Sequence, residues 1–277
     1  MSTLLPGSFA ELVYRLAVGL EPRDAVSGRR IARPVDIAVD GGPTFDLGPS
    51  FDETAGKWPE QSPVAGLRRL SRHGSGRFVL LFDGTIRTPV RLRIVPRDRR
   101  YVPRRLEIPI VGEAAVLAGE QAGADVPTAS RAWRPLLFPG AGYDLAETAT
   151  GVRGTVTHAG DPVRWTRIEA FVPGSPLRWR AHGDDRGEFL LVLGQNTGAV
   201  GDLVSPLVVT ITVYAPNPAL AVKTDDALAD LPRETLAGPG ITPDDVSTGI
   251  TLTGWAQITQ FDHPLTLGRL SSVPIAV

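Results

Sequence analysis

The chain has no cysteine, one methionine and only two lysines, Lys57 and Lys223, in 277 residues. The missing cysteine excludes disulfides, thiolate metal sites and thiol nucleophiles. Aromatic residues make up 6% of the chain, few for a surface built to stack on flat ligands. No apolar run reaches the roughly 18 residues that a membrane-spanning helix needs. The opening Met1-Ser-Thr-Leu-Leu-Pro-Gly has no basic region followed by an unbroken apolar stretch, so no secretory signal is expected. The expectation is a protein made and kept in a cytoplasm, free or within a particle assembled there. A dominant charge sign is also lacking. Lys and Arg number 29 against 30 Asp and Glu, a net of −1, which gives no global pull toward nucleic acid or membrane.

What is present is unevenly placed. Residues 1–110 carry 18 Lys and Arg against 12 Asp and Glu, and residues 111–277 carry 11 against 18. A basic half joined to an acidic half suits head-to-tail docking on copies or partners; solvated charge on strand faces accounts for it as well. A hydrophobic content of 42% is enough to bury cores in two domains.

Two stretches read as copies of one another. The first runs from Gly28 through Val35-Asp-Ile37-Ala-Val39 to Gly76-Arg-Phe78-Val-Leu-Leu81, and closes with Pro89-Val-Arg-Leu-Arg-Ile94. The second runs from Gly160 through Ile168-Glu-Ala-Phe171 to Gly187-Glu-Phe189-Leu-Leu191, and closes with Pro206-Leu-Val-Val-Thr-Ile-Thr-Val213. Glycine turns between short period-2 apolar runs, written twice, predict an all-β chain of two tandem β-sandwiches. The first occupies residues 1–110, with a Gly/Pro/Asp-rich insertion at about 40–63. An extended linker covers 111–150, and a second sandwich with a C-terminal extension covers 151–277. Asp225 to Leu231 is a candidate short helix near the C-terminus, with acidic residues in its first turn. Of the two late strand-like stretches, Gly249–Ile258 and Leu265–Leu270, one has no counterpart in the first copy and is free to extend a sheet edge.

Within the linker, Trp133, Leu136, Leu137 and Phe138 are four large apolar residues in a short span. They either anchor the segment across a domain face or bind a partner. Arg97, Arg99, Arg100, Arg104 and Arg105 form the densest basic cluster. The cluster suits gripping phosphates, and charge that blocks unwanted strand pairing explains it equally well; Arg99 and Arg100 join the four apolar residues as candidate partner contacts.

Catalytic and metal patterns are weak by comparison. Asp184 and Asp185 before Gly187 offer carboxylates, but a calcium loop's ladder is missing and a turn needs nothing more than Asp. His73, His158, His182 and His263 share no ligand spacing. Ser75 sits in Gly-Ser-Gly without a nucleophile elbow. Trp165 and Trp179 flank a Pro-Gly-Ser-Pro turn and would suit sugar stacking, or else core packing. No catalytic residue, cofactor or metal is expected.

The run Val152-Arg-Gly-Thr-Val, then Gly160-Asp-Pro-Val163, Ile168-Glu-Ala170 and Asp184-Asp-Arg-Gly187-Glu-Phe189-Leu-Leu resembles carboxypeptidase-regulatory-like, or transthyretin-like (prealbumin-like), domains. The likeness covers about 65 residues, and a degenerate copy spans 12–110 once 40–63 is set aside. It implies Ig-like sandwiches that serve as spacers or binding platforms. Pilin-type relatives form Lys–Asn crosslinks; Lys57 and Lys223 fall outside the strands, so none is expected. The whole chain is also similar to proteins of bacterial contractile injection systems, the phage-tail-like particles. That resemblance implies a non-enzymatic structural or accessory piece, at a baseplate or cap. Its partners would be other particle proteins, including copies of itself, with no nucleic acid and no membrane insertion. A carbohydrate- or ligand-binding module, using the loops of 40–63 and Trp165 and Trp179, is the alternative; an esterase or metal hydrolase ranks last.

Overall fold

The computed structural model describes residues 15–40, 70–73, 75–82, 86–124, 126–194, 206–223, 226–236 and 240–277. The expected insertion at 40–63 lies outside the described residues from position 41 onward, and so does Lys57.

The chain opens with β1 (Leu16–Leu20), β2 (Arg23–Asp24), β3 (Val35–Val39), β4 (Ser71–Arg72), β5 (Phe78–Leu81), β6 (Val90–Pro96) and β7 (Arg104–Ile108). Helix α1 (Glu113–Gln121), β8 (Ala132–Trp133) and β9 (Leu136–Leu137) follow. Next come β10 (Thr150–His158), β11 (Asp161–Pro162), β12 (Arg167–Phe171), β13 (Trp179–His182), β14 (Glu188–Leu193) and β15 (Leu207–Pro216). Helix α2 (Pro243–Thr248), β16 (Trp255–Leu265) and β17 (Leu270–Ala276) end the chain. Strand accounts for 44% and helix for 8%, so the molecule is mostly β. No helix among the described residues is long and apolar enough to cross a membrane.

The repeat in the sequence returns as a repeat of pairing. β1 pairs antiparallel with β5, as β10 does with β14. β3 pairs with β6 and β6 with β7; β12 pairs with β15 and β15 with β16. The turn glycines match too. Gly28 and Gly160 have φ of 67° and 92°, and Gly76 and Gly187 have 78° and 71°. A side chain in that left-handed region costs about 1–2 kcal/mol, which is why glycine recurs where the same turn is made twice.

Each half buries its own apolar face. Leu20, Ile37, Leu80, Leu92, Ile94 and Leu106 centre one core, and Val152, Ile168, Phe189, Leu191, Val209 and Ile211 centre the other. Full burial of such a side chain is worth about 1.5–3 kcal/mol. The cores are not segregated by chain position: Val246, Leu252 and Trp255 pack into the first. A third cluster, of Ala38, Val95, Val102, Trp165, Leu228 and Leu231, lies between contributions from both halves.

Several expectations change. Residues 111–150, read as an extended linker, hold α1 and the short strands β8 and β9, which pair in parallel with β1 and β2. Glu113-Ala-Ala-Val-Leu-Ala is strong helix text with an acidic first turn, and the glycines around it masked the signal. The late helix does not form at 226–231, which is turn; it forms at α2. There Thr242 and Asp245 make a reciprocal capping box, proline opens the first turn, and Gly249 at φ 67° closes the last. Asp226 accepts the Leu228 N–H at 3.1 Å as a turn aspartate does, while its carboxylate also pairs with Arg93. Both late strands are used within the chain, β16 on β15 and β17 in parallel on β10.

Candidate functional site

The most unusual chemistry is a set of buried ion pairs along residues 226–236, a strap that runs between the two halves. Its carboxylates recur every fourth residue, at Asp226, Asp230 and Glu234, and each meets arginine. The strap's backbone adds to β7, with Glu234 N donating to Arg105 O at 2.8 Å and Glu107 N donating to Glu234 O at 2.9 Å.

At Glu234 the pairing is double. Arg104 from β7 donates from Nε at 2.9 Å and Nη2 at 2.5 Å, and Arg167 from β12 donates from Nη2 at 3.2 Å. All three side chains are at most 1% exposed. One carboxylate cannot satisfy two guanidiniums, so Arg104 also donates to the carbonyls of Leu136, Val246 and Ser247. Arg167 lies over the Trp255 ring, 4.3 Å from its centroid. Burial pushes Arg167 down to about 10, still charged at neutral pH, with Glu234 opposing the shift.

A second knot forms on Asp40. Arg93 donates to it at 2.7 Å, Arg105 at 2.9 Å and Arg233 at 3.3 Å. Arg93 also forks onto Asp226, both contacts at 2.6 Å, while Arg105 Nη1 donates to the carbonyls of Leu228, Ala229 and Leu231. Burial alone would raise the Asp40 carboxyl, but Arg105 and Arg93 outweigh it and hold it below its ordinary value. Arg164 forks onto Asp230 at the third strap carboxylate.

Near Arg167 and Arg104 lies His182, fully buried. Its ring stacks on Phe138 with centroids 3.7 Å apart, Nε2 donates to Gly249 O at 3.2 Å, and Nδ1 has no partner. Burial, reinforced by Arg167 and Arg104, holds its pKa well below the usual imidazole value.

The candidate contact residues fall into two groups. Trp133, Leu137 and Phe138 are buried within this chain and Leu136 half-buried. Arg99 stays exposed, 3.7 Å from Asp185, and Arg100 pairs with Asp98 and Asp144. The rest of the dense arginine run is internal: Arg97 forks onto Asp36, and Arg104 and Arg105 enter the knots above. Two cations of the first half, Arg93 and Arg104, thus pair with carboxylates of the second half across the strap. Sequence reasoning missed Arg93, Arg164, Arg167 and Glu234. No local signal marked them: Arg93 falls between Leu92 and Ile94, at the alternate position where strand periodicity expects a polar residue.

Other candidates resolve into turn and core roles. Asp184 Oδ1 accepts the backbone N–H groups of Arg186 and Glu188, as a turn aspartate does. Ser75 meets His73 Nδ1 at 2.9 Å in an exposed turn, a local contact two residues apart. Trp165 and Trp179 are 1% and 7% exposed, which leaves neither face open for stacking. Among the described residues no group of three or more His, Asp or Glu stands close enough to hold a metal ion.

No family model matches the chain. No curated protein matches it either. Among solved structures it is similar to a 9R-lipoxygenase from Cyanothece, with 10% identity over 60% of this chain and a TM-score of 0.23. The chain spans 21% of the length of that enzyme.

Proposed function

We propose that the chain is a non-enzymatic structural or accessory component of a contractile injection system or related phage-tail-like assembly, assembled in the cytoplasm and acting through protein–protein contacts. Its two halves are, on this reading, tandem prealbumin-like β-sandwiches. The doubled pairing pattern and the separate cores support that assignment. The observation that carries the functional reading is the strap. Its buried arginine–carboxylate knots fix the two halves in one relation, as a spacer in a particle requires. Breaking such a pair leaves an uncompensated charge, so the arrangement resists slippage between the halves.

One observation favours the alternative of a carbohydrate- or ligand-binding module. A cleft of about 440 Å³ is lined by the 25–28 turn, Phe138, Arg178, Trp179 and Arg180.

The deciding experiment is affinity purification of the tagged protein from its native host, with mass spectrometry and negative-stain imaging. Co-purified sheath and tube proteins with rod-shaped particles are the expected result. A lone protein with saturable sugar binding that Arg178→Ala abolishes would transfer the assignment to the alternative.

A further inference from the structure

One surface carries charge that the strap does not neutralise. Glu21, just past β1, accepts hydrogen bonds from Arg23 at 2.8 Å and Arg77 at 2.7 Å, and Arg134 Nε lies 3.9 Å away. Arg77 and Arg134 are 60% and 63% exposed. Arg23 stands opposite Arg30 in an antiparallel bridge, and the Arg30 side chain runs beside Gly76, next to Arg77. Arg72, opposite Phe78, reaches Ala32 O at 3.4 Å. Arg23, Arg30, Arg72, Arg77 and Arg134 thus form one continuous arc across the β2 and β4–β5 edge.

Among the described residues, Glu21 is the carboxylate that serves this arc. Asp24 is turned away, accepting hydrogen bonds from Tyr101 and Tyr143, and Asp36 is held by Arg97. Hydrogen bonds from Arg77 and Arg23 keep Glu21 below its ordinary value, so it is ionised at neutral pH and offsets one positive charge of five. No five-residue window of the sequence shows the arc, because its members come from three separate segments.

The guanidinium fork matches the planar geometry of carboxylates and pairs with them through two parallel hydrogen bonds. Phosphates accept the same fork, but two observations weigh against nucleic acid. The chain as a whole carries a net charge of −1, and the aromatic rings near the arc, Trp133 and Phe78, are buried and give bases nothing to stack on. We propose that the arc docks an acidic protein surface, a partner segment presenting a row of Asp and Glu side chains. The inference deepens the assembly reading and rests on it for the partner being a protein.

A fluorescein-labelled oligoglutamate peptide is the probe, titrated with the full chain and read by anisotropy at about 150 mM salt, where screening acts beyond about 8 Å. Saturable binding is expected, weakened about tenfold by the double variant Arg77→Ala/Arg134→Ala. Arg153→Ala, an exposed arginine on β10, leaves it unchanged. Thermal melts that match wild type exclude misfolding, and the single variant Arg77→Glu repeats the test with one charge reversed. Tighter binding of a single-stranded DNA of the same charge overturns the choice of a protein partner. No binding, or binding indifferent to Arg77 and Arg134, overturns the docking site itself. The assay needs no particle, so its failure and a failure of co-purification are read separately.

Discussion

Arg104 forks onto Glu234 across 130 positions of sequence, with contacts of 2.9 and 2.5 Å and neither side chain more than 1% exposed. The pair closes the seam between a strand of the first half and a strap that lies between β15 and β16 of the second. Glu234→Gln removes the charge that offsets both Arg104 and Arg167. A loss of about 3–5 kcal/mol in unfolding free energy is expected, measured by urea denaturation. A loss below about 1 kcal/mol would mean that the backbone carbonyls alone suffice for Arg104.

His182 makes the fold sensitive to mild acid. Its folded-state pKa is depressed by burial and by Arg167, Arg104 and Arg180, against a smaller opposing effect of the hydrogen bond to Gly249. The native protein keeps the ring neutral; the unfolded chain protonates it below about 6.5. Stability is therefore complete above that pH and falls as pH drops, by up to about 1.4 kcal/mol per pH unit. Urea titrations at pH 7.5 and 5.5 read the slope. His182→Phe, which retains a ring to stack on Phe138, is expected to flatten it. His263, lowered by a smaller burial, contributes a lesser share, and His263→Gln measures it.

Two turn glycines with similar φ separate conformation from space. Gly28 at φ 67° has no atom within 4 Å of an added Cβ, whereas at Gly187, φ 71°, that Cβ would stand 2.6 Å from the Val156 carbonyl. Gly28→Ala is expected to cost about 1 kcal/mol and Gly187→Ala at least about 2. Equal losses would show that β14 yields to the added methyl group.

The seam also sets cooperativity. Trp133 and Trp255 belong to the first core and Trp179 to the second. One unfolding transition is expected, coincident by tryptophan fluorescence and far-ultraviolet circular dichroism. Asp226→Ala with Glu234→Ala leaves Arg93 with Asp40 alone and strips Arg104 and Arg167 of their carboxylate, and the two signals then separate.

The strands were legible because period-2 apolar runs and turn glycines are local signals. Phe78–Leu81, Val90–Pro96 and Leu207–Pro216 fall within a few residues of their expected places. The helix after Gly112 was hidden by composition, and the segment expected as a helix at 225–231 is instead held as a turn whose carbonyls accept Arg105 and whose Asp226 pairs with Arg93. The site was illegible for a related reason. Arg93 and Glu234 look like ordinary surface charges until the fold sets them face to face, and no spacing rule reports a pairing between distant segments. Trp133, Leu137 and Phe138 were visible as an apolar run, but only the pairing of β8 and β9 with β1 and β2 shows that they face the chain's own interior.

The strap has a consequence for the order of synthesis. Arg93, Arg104 and Arg105 leave the ribosome about 120 residues or more before the carboxylates and carbonyls at 226–234 that receive them. Until then Arg104 lacks its carboxylate, Arg93 and Arg105 share Asp40 alone, and the core lacks Val246, Leu252 and Trp255. A nascent chain stalled before the strap emerges is therefore an open, protease-sensitive intermediate, and the fold is completed from its late-made end.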